Sequence, residues 1–395
     1  MVQGELMIES KGRFLYVGGF QLPDKNAAAH RVLSIAKILN SLGYEVVFLD
    51  MDEEKQGYEL SVEHIEKGYI TYSQKKPEGM KHWASYVLNP VHVEEVLEKY
   101  TDWVGVIAYN YPAMALHKLK RICHKRKIKI YADCTEWYQC DFFRSIREIA
   151  LKLDTFFRMR VVHKKLDGLI VISNYLKKYY DSHTSIVVIP PLVDKEEKKW
   201  IKEEESFSKE QINMAYAGSP GRVGRTKDNL DAIIRSFGRC KNTNLKLHVV
   251  GITEEEYTKH CTQDKNILAS SEITKKVNFY GKKPHLEALE IIKKCDYTIF
   301  YRNISKISMA GFPTKFVESI SCGVPVITNQ TSDLKKYIKK NRNGFLLDTE
   351  KFEDELVDLL NRITGEEMNT CDVEENVFDY RNYIDDIKTW LDKCN

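Results

Sequence analysis

Short apolar runs alternate with longer amphipathic runs along the chain. Residues 13–17 form the first apolar run, which ends in Gly18 and Gly19, and residues 27–42 then repeat apolar positions at helical spacing. A second apolar run follows at residues 44–49. This order predicts a strand–helix–strand unit of the doubly wound type. The paired glycines would let the backbone turn tightly and let a ligand approach it closely.

Further apolar runs at residues 102–109, 128–132, 169–173 and 186–189 predict the remaining strands of a mostly parallel sheet. Asp133 and Glu136 come directly after one of these strands, and functional residues collect at the carboxyl ends of strands in open α/β sheets. Both are therefore candidate catalytic carboxylates. The alternative interpretation is a capping pair for the next helix, since Asp133 and Thr135 are good caps.

The pair Pro190-Pro191 and the charge-rich run at residues 194–205 indicate a domain boundary. After it, the strand–glycine loop–helix order starts again at residues 214–237. We therefore predict two doubly wound α/β domains that face each other across a cleft. They are an N-terminal domain at residues 1–193 and a C-terminal domain at residues 194–377, with a helix at residues 378–395 that packs back on the first.

Residues 311–328 are the most informative stretch of the second half. Pro313 suits the first turn of a helix, Gly323 suits a left-handed cap at its end, and a short strand at residues 324–328 is predicted to follow. The start of such a helix binds anions through its free N–H groups and its dipole. Glu318 would reach a polar ligand group beyond a phosphate. An ordinary crossover with a solvated Glu is the alternative.

Composition narrows the class of protein. A chain of 395 residues with 43% hydrophobic residues is long enough for two folded domains. Its formal net charge is +3, from 60 basic and 57 acidic residues, which argues against a general nucleic-acid binder. Nine cysteines without a CxxC pair fit a reduced compartment, and the first ten residues lack the apolar core of a signal peptide. We therefore expect a cytoplasmic location, with no dedicated metal site because the histidines show no ligand spacing.

Several motifs of the second half resemble family 4 retaining glycosyltransferases of the GT-B fold, the bacterial polysaccharide type of glycosyl transferase group 1. They are residues 216–221, Lys227-Asp228, Gly281 before a helix, residues 311–327 and Asn343-Gly344-Phe345. The first half resembles the family more loosely, through Gly18-Gly19, residues 43–46, residues 171–173 and residues 189–194.

The resemblance implies a nucleotide-sugar donor, such as a UDP- or GDP-sugar, with no resident cofactor. Glu318 would hold the ribose, and Lys227 would grip the diphosphate together with an arginine, either Arg222 or Arg225. One departure stands out, because Ala310 replaces the family's first carboxylate, which acts on the donor sugar. The remaining implied donor-site residues are Gly18, Gly19, Gly218, Ser219, Gly311, Phe312, Pro313, Thr314 and Lys315.

Transfer from such a donor needs stabilisation of the leaving diphosphate, which gains negative charge as the anomeric bond breaks. Lys227, an arginine of the 222–225 loop and the helix start at Thr314 would supply it. No DxD-like acidic pair follows a strand as an obvious metal holder, so we expect metal-independent transfer.

Residues 142–165 alternate basic and apolar side chains. A solvated amphipathic helix that packs on its own sheet is one interpretation of this segment. Peripheral contact with an anionic membrane is the other, and it would suit a lipid-linked acceptor. The protein would then work at the inner face of the cell membrane.

Taken together, these features predict a retaining hexosyltransferase that acts on a glycan or lipid-linked acceptor in surface polysaccharide assembly. Two alternatives stay open. One is a sugar-nucleotide epimerase on the same fold, and the other is a binding protein that kept the fold and lost activity at Ala310.

Overall fold

The computed structural model describes residues 10–23, 25–65, 69–137, 146–181, 185–201, 207, 210–223, 227–339, 342–363 and 376–394. The chain divides into two compact units, Met1–Val193 with Asp379–Asn395, and Asp194–Phe378. Each unit is a predominantly parallel sheet with helices packed on it, which confirms the predicted pair of doubly wound α/β domains.

The sheet of the first unit has eight strands in the order β3-β4-β2-β1-β5-β6-β7-β8. Only β3 runs antiparallel to its neighbour, and all other neighbouring strands pair in parallel. The strands are β1 Arg13–Gly18, β2 Glu45–Asp52, β3 Ser61–Ile65, β4 Tyr69–Lys75, β5 Trp103–Tyr109, β6 Lys129–Cys134, β7 Gly168–Val171 and β8 Ser185–Val188.

The helices of the first unit connect these strands, and α5 continues into a π turn, Arg158–Val162, and a 3-10 turn, His163–Lys165. Within the described ranges, no helix is long and apolar enough to cross a membrane. The helices before the domain boundary are α1 Ala27–Ser41, α2 Gly79–Leu88, α3 Val93–Leu97, α4 Ala113–Lys125, α5 Ile146–Phe157 and α6 Asn174–Tyr180.

The second unit has six parallel strands in the order β11-β10-β9-β12-β13-β14. The strands are β9 Ile212–Ala217, β10 Leu245–Val250, β11 Val277–Phe279, β12 Tyr297–Ile299, β13 Val326–Asn329 and β14 Gly344–Leu347. The helices are α7 Leu230–Arg239, α8 Glu254–Glu256, α9 Ser271–Thr274, α10 His285–Lys293, α11 Lys306–Ala310, α12 Thr314–Ser321, α13 Leu334–Tyr337 and α14 Phe352–Arg362.

The last helix, α15 Ile384–Cys394, belongs to the first unit. Trp390 is 3% exposed, and its ring centroid lies 4.9 Å from that of Tyr131 on β6. Its Nε1 donates to the carbonyl oxygen of Ser185 on β8. Phe378, one residue before the return to this unit, packs instead on Phe312 and Phe316 of the second unit. The chain therefore changes units between residues 378 and 379.

Residues 51–100 differ most from the predicted elements. The sequence there is polar and favours a helix over residues 91–100, where the structure has only the five-residue α3. The antiparallel β3 and the helix α2 have no counterpart among the predicted elements. All residues of α2 are half-buried or exposed.

An ion pair lies inside the core of the first unit, at the carboxyl end of β6. Arg31, on α1, donates from Nη2 to Oδ1 of Asp133 at 2.7 Å, and Tyr16 on β1 donates to Oδ2 at 2.6 Å. Arg31 is 5% exposed and Asp133 is 0% exposed. Arg31 also donates to the carbonyl oxygen of Ile189, so one guanidinium joins α1, β6 and the segment after β8.

Replacing Asp133 by Asn should destabilise the first unit, because the buried guanidinium of Arg31 would lose its counter-charge. The expected loss is about 3–5 kcal/mol of the free energy of unfolding. Urea unfolding followed by tryptophan fluorescence would measure it, since Trp83, Trp103, Trp137 and Trp390 all lie in this unit.

Glu98→Gln is the matched control, since it neutralises one carboxylate of an exposed pair with Arg126 at 3.4 Å. Its expected cost is at most about 1 kcal/mol. Equal unfolding midpoints for Asp133→Asn and Glu98→Gln would contradict a structural role for Asp133.

Candidate functional site

The strand order of the second sheet marks where a ligand site can form. From β9 the chain moves outward through β10 and β11, and it then returns to place β12 on the other side of β9. The loops that leave β9 and β12 at their carboxyl ends therefore diverge, and open α/β sheets bind ligands at such a point. Most of the donor-site residues predicted for the second half follow these two strands.

The loop after β9 depends on a glycine. Gly218 has φ +118°, and a Cβ on it would lie 2.9 Å from Cε of Lys315. Ser219 is exposed and accepts from the N–H of Gly221 at 3.3 Å. Any larger residue at 218 would therefore displace Lys315 as well as strain the loop.

The structure describes two of the three cationic residues predicted for this loop. Arg222 and Lys227 are both exposed, and the backbone N–H of Lys227 donates to the carbonyl oxygen of Pro220 at 2.9 Å. That bond folds the loop back on itself and keeps Lys227 beside the end of β9. Arg225, the alternative to Arg222, lies outside the described residues.

The predicted helix in residues 311–328 is α12, one residue shorter at its start than expected because Pro313 is its N-cap. Gly323 follows it with φ +71°, as the predicted left-handed cap requires. Gly311 ends α11 with its N–H bonded to the carbonyl oxygen of Ile307 at 3.0 Å. Thr314 opens the helix and is partly exposed.

Phe312 can contribute only its backbone to a donor site. Its ring is 6% exposed and packs on Phe316, Tyr337 and Phe378. The side chain therefore belongs to the core of the second unit, and only the backbone of this residue is left to face a ligand.

Glu318, on α12, is half-buried beside His285 at the start of α10. His285 Nε2 and Glu318 Oε1 are 3.4 Å apart, and each side chain is 27% exposed. The carboxylate is thus partly accessible, as an acceptor of hydrogen bonds from ligand hydroxyls needs to be.

Lys315 lies at the centre of a group that the sequence prediction missed. Its Nζ donates to Oδ2 of Asp228 and lies 4.0 Å from the ring centroid of Tyr216 on β9. Arg302, just after β12, places Nε 3.3 Å from Oδ1 of Asp228. Asp228 was named in the motif with Lys227 but was given no role, and Arg302 could have been noticed by its place after a strand.

Ala310 is fully buried at the end of α11, at 0% exposure. Among the residues that the structure describes, no group of three His, Cys, Asp or Glu side chains is arranged to hold a metal ion.

The two glycines after β1 have different surroundings. A Cβ on Gly18 would lie 2.5 Å from the carbonyl oxygen of Tyr109, so this glycine is required by the packing of β1 against β5. A Cβ on Gly19 would meet nothing within 4 Å. Gly19 is therefore the residue of the pair that leaves room for a ligand.

The two predicted carboxylates at the carboxyl end of β6 also differ in their surroundings. Glu136 is exposed, whereas Asp133 is fully buried and bonded to Arg31 and Tyr16. The prediction of Asp133 as a catalytic carboxylate is not supported by this geometry, because a general base must reach its substrate. Among the described residues Asp133 caps no helix, because it lies in β6 and its side chain bonds to Arg31 and Tyr16, which are far away in sequence.

Comparison with known proteins gives a family for the second unit. Residues 199–376 match the family model described as glycosyl transferases group 1. A comparison with curated protein sequences finds no significant match.

Several solved structures are similar over the whole chain. Anabaena Alr3699/HepE in complex with UDP-glucose is 12% identical, with 96% of this chain and 99% of that chain covered and a TM-score of 0.63. Sucrose-phosphate synthase from Thermosynechococcus elongatus is 11% identical, with 97% and 98% covered and a TM-score of 0.65. The lipopolysaccharide outer core galactosyltransferase WaaB is 14% identical, with 96% and 99% covered and a TM-score of 0.60.

At these identities the solved structures establish the fold, and the family model establishes the class of the second unit. The chain therefore has the GT-B fold, and its second unit is a domain of the glycosyl transferases group 1 family.

Proposed function

We propose that this protein is a retaining glycosyltransferase that moves a hexose from a nucleotide-sugar donor to a glycan or lipid-linked acceptor in surface polysaccharide assembly. One observation carries the proposal: a glycine loop, cationic side chains and the start of a helix lie together at the carboxyl ends of β9 and β12. They all belong to the unit that matches the family model of glycosyl transferases group 1.

The donor is proposed to lie over the ends of these two strands. Lys227 and Lys315, with Arg222 or Arg225, would bind the diphosphate, and Glu318 would accept hydrogen bonds from the ribose hydroxyls. Gly218 would let the backbone approach the ligand closely, although its own N–H is bonded to Val250. In the stretch from Gly311 to Thr314, Pro313 has no N–H and that of Gly311 is bonded to Ile307. The N–H groups of Ser219, Phe312 and Thr314 would complete the pocket. The complexes of HepE with UDP and with UDP-glucose support a nucleotide donor for this fold.

The reaction follows from the charges. The bond between the anomeric carbon and the phosphate oxygen breaks, and its electron pair stays on the diphosphate. Fixed cations and N–H donors lower the barrier because they stabilise the charge that develops there. The acceptor hydroxyl attacks from the face of departure, and a phosphate oxygen takes its proton. The chain's own cations would do this work without a metal or a resident cofactor.

On the acceptor side we assign Glu136, and the backbone at Gly19 keeps its proposed place in the donor site. Glu136 is exposed at the carboxyl end of β6, where it can orient an acceptor hydroxyl. Asp133 holds this edge of the sheet in place from within the core.

The helix α5 offers a surface for the proposed membrane contact. Its exposed apolar side chains include Leu153 at 58%, Phe157 at 50% and Phe156 at 48% exposure. Arg160 lies 4.6 Å from the ring centroid of Phe156, and Lys152 is exposed on the same helix. Apolar rings beside cations favour the interface of an anionic bilayer, where a lipid-linked acceptor would be presented at the inner face of the cell membrane.

A thermal-shift panel of UDP, GDP, ADP and CMP should find at least one nucleotide that raises the melting temperature. Lys227→Met should then raise the Kd for that nucleotide by about 10-fold to 100-fold, because a charge-assisted bond to the diphosphate is lost. Lys275→Gln, which removes an exposed cation of the same unit, is the control and should leave the Kd unchanged. An unaltered Kd in Lys227→Met would refute the assigned role.

Incubation with the nucleotide sugar of that base and a saccharide acceptor should release the nucleoside diphosphate and give a product that keeps the donor's anomeric configuration, read by NMR. EDTA should leave the rate unchanged. An epimerised nucleotide sugar without transfer would favour the epimerase instead. Binding without any diphosphate release would favour an inactive binding protein.

Flotation with vesicles tests the membrane surface. The wild-type chain should float with phosphatidylcholine vesicles that contain phosphatidylglycerol, and the triple change Leu153→Ser, Phe156→Ser and Phe157→Ser should abolish flotation. Met80→Ser removes an isolated apolar side chain that is 86% exposed, and it should float like the wild type. Equal recovery of the triple variant in the lipid layer would discard this surface.

A further inference from the structure

A buried carboxylate with two cations lies at the carboxyl ends of β9 and β12. Asp228 is 1% exposed, and it accepts from the hydroxyl of Tyr216 at 2.9 Å. Lys315 Nζ and Arg302 Nε approach its two oxygens from different elements, the first from α12 and the second from the segment after β12. The group therefore joins both strands that flank the proposed donor site.

The charges of this group do not balance. One carboxylate faces two cations, and the side chains of Lys315 and Arg302 are each only 16% exposed. Cations so far out of water are costly unless they are paired. Glu318, three residues further along α12, also acts electrostatically on Lys315, but its carboxylate lies beside His285. The two cations thus share one directly paired carboxylate at a place where an open sheet of this kind binds its ligand, and an arriving anion would pair with them.

The titration behaviour of the group agrees with this picture. Burial alone would raise the pKa of Asp228, but Lys315 and Arg302 outweigh it and hold that pKa below its ordinary value. Burial lowers the pKa of Lys315 and Arg302 lowers it further, while Asp228 and Glu318 only partly offset the two effects. The carboxylate of Asp228 is therefore charged, while the ammonium of Lys315 would gain from a further anion.

Neighbouring groups also hold both cations in place. The N–H of Arg302 donates to Oδ1 of Asn329 at 2.9 Å, and Asn329 Nδ2 donates back to the carbonyl oxygen of Arg302 at 2.9 Å. The stem of Lys315 lies between the ring of Tyr216 and Gly218. Asp228 engages Nε of Arg302, so this contact does not use the two terminal amino groups of the guanidinium.

We infer that Asp228 positions Lys315 and Arg302 as a two-cation clamp for the diphosphate of the donor, and that Arg302 is a further donor-binding residue. The inference rests on the proposed function, since it assumes a diphosphate at this site. Preorganised cations cost no rearrangement when the leaving group gains charge. Ala310 has no polar side chain with which to hold the donor sugar, and it is buried. With the clamp, recognition of the donor would depend on its phosphates.

Calorimetry on the full chain tests the clamp with three probes: inorganic pyrophosphate, the nucleoside diphosphate that stabilises the wild type most, and the matching nucleoside. Arg302→Gln and Asp228→Asn should each raise the Kd for pyrophosphate and for the nucleoside diphosphate by about 10-fold or more. The Kd for the nucleoside should stay unchanged in both variants. Arg302→Lys keeps the charge without the planar fork and should recover part of the affinity.

The outcomes separate the two proposals. Tighter binding of pyrophosphate by Asp228→Asn would overturn the inference, because Asp228 would then compete with the ligand for the cations. An equal rise in the Kd of nucleoside and diphosphate would overturn it too, since that pattern indicates general damage. If Asp228→Asn does not fold, the contrast between Arg302→Gln and Arg302→Lys decides alone.

Lys275→Gln again controls for the loss of one positive charge and should bind all three probes like the wild type. Failure of the wild-type chain to bind pyrophosphate or any nucleotide would overturn the proposed function together with the clamp. Normal binding in the wild type with unaltered affinity in Arg302→Gln would overturn the clamp alone.

Discussion

In a parallel sheet all strands end at the same edge, and the connections must return along the faces. The second sheet obeys that constraint throughout, and the first does so apart from the antiparallel edge strand β3. In both sheets the chain starts in the middle, fills one side and then crosses to the other, between β1 and β5 and between β9 and β12. The reversal leaves a gap between diverging loops, which the chain fills with glycines and polar side chains. The placement of Gly19, Gly218, Lys315 and Arg302 follows from this geometry.

Two buried carboxylates have similar hydrogen bonds but different surroundings. Asp133 accepts from a tyrosine of β1, and Asp228 accepts from a tyrosine of β9, so each ties the first strand of its sheet to a distant element. Asp133 has one arginine, and both side chains are closed off from water. Asp228 has two cations that keep partial access to solvent. The charge of Asp133 is neutralised by one arginine inside the core, whereas Asp228 is paired with two cations at once.

The fold and part of the site could be predicted from sequence because their signals are local. Apolar runs, glycine caps and the proline before α12 act over a few residues, and they identified the sheets and the helix that carries Glu318. The ion pairs were missed because their partners lie far apart in sequence, with a separation of 102 positions for Arg31 and Asp133 and of 87 for Asp228 and Lys315. Local pattern cannot tell a carboxylate that faces a ligand from one that pairs with an arginine.

The return of the chain to the first unit after Phe378 has a consequence for synthesis. Strand β8 and the ring of Tyr131 are packed by Trp390 of α15, so the core of the first unit is completed by residues that are synthesised after the second unit. Domains that are continuous in sequence can fold as they emerge. Here the second unit can fold first, while the first unit keeps an uncovered apolar face until α15 has been synthesised.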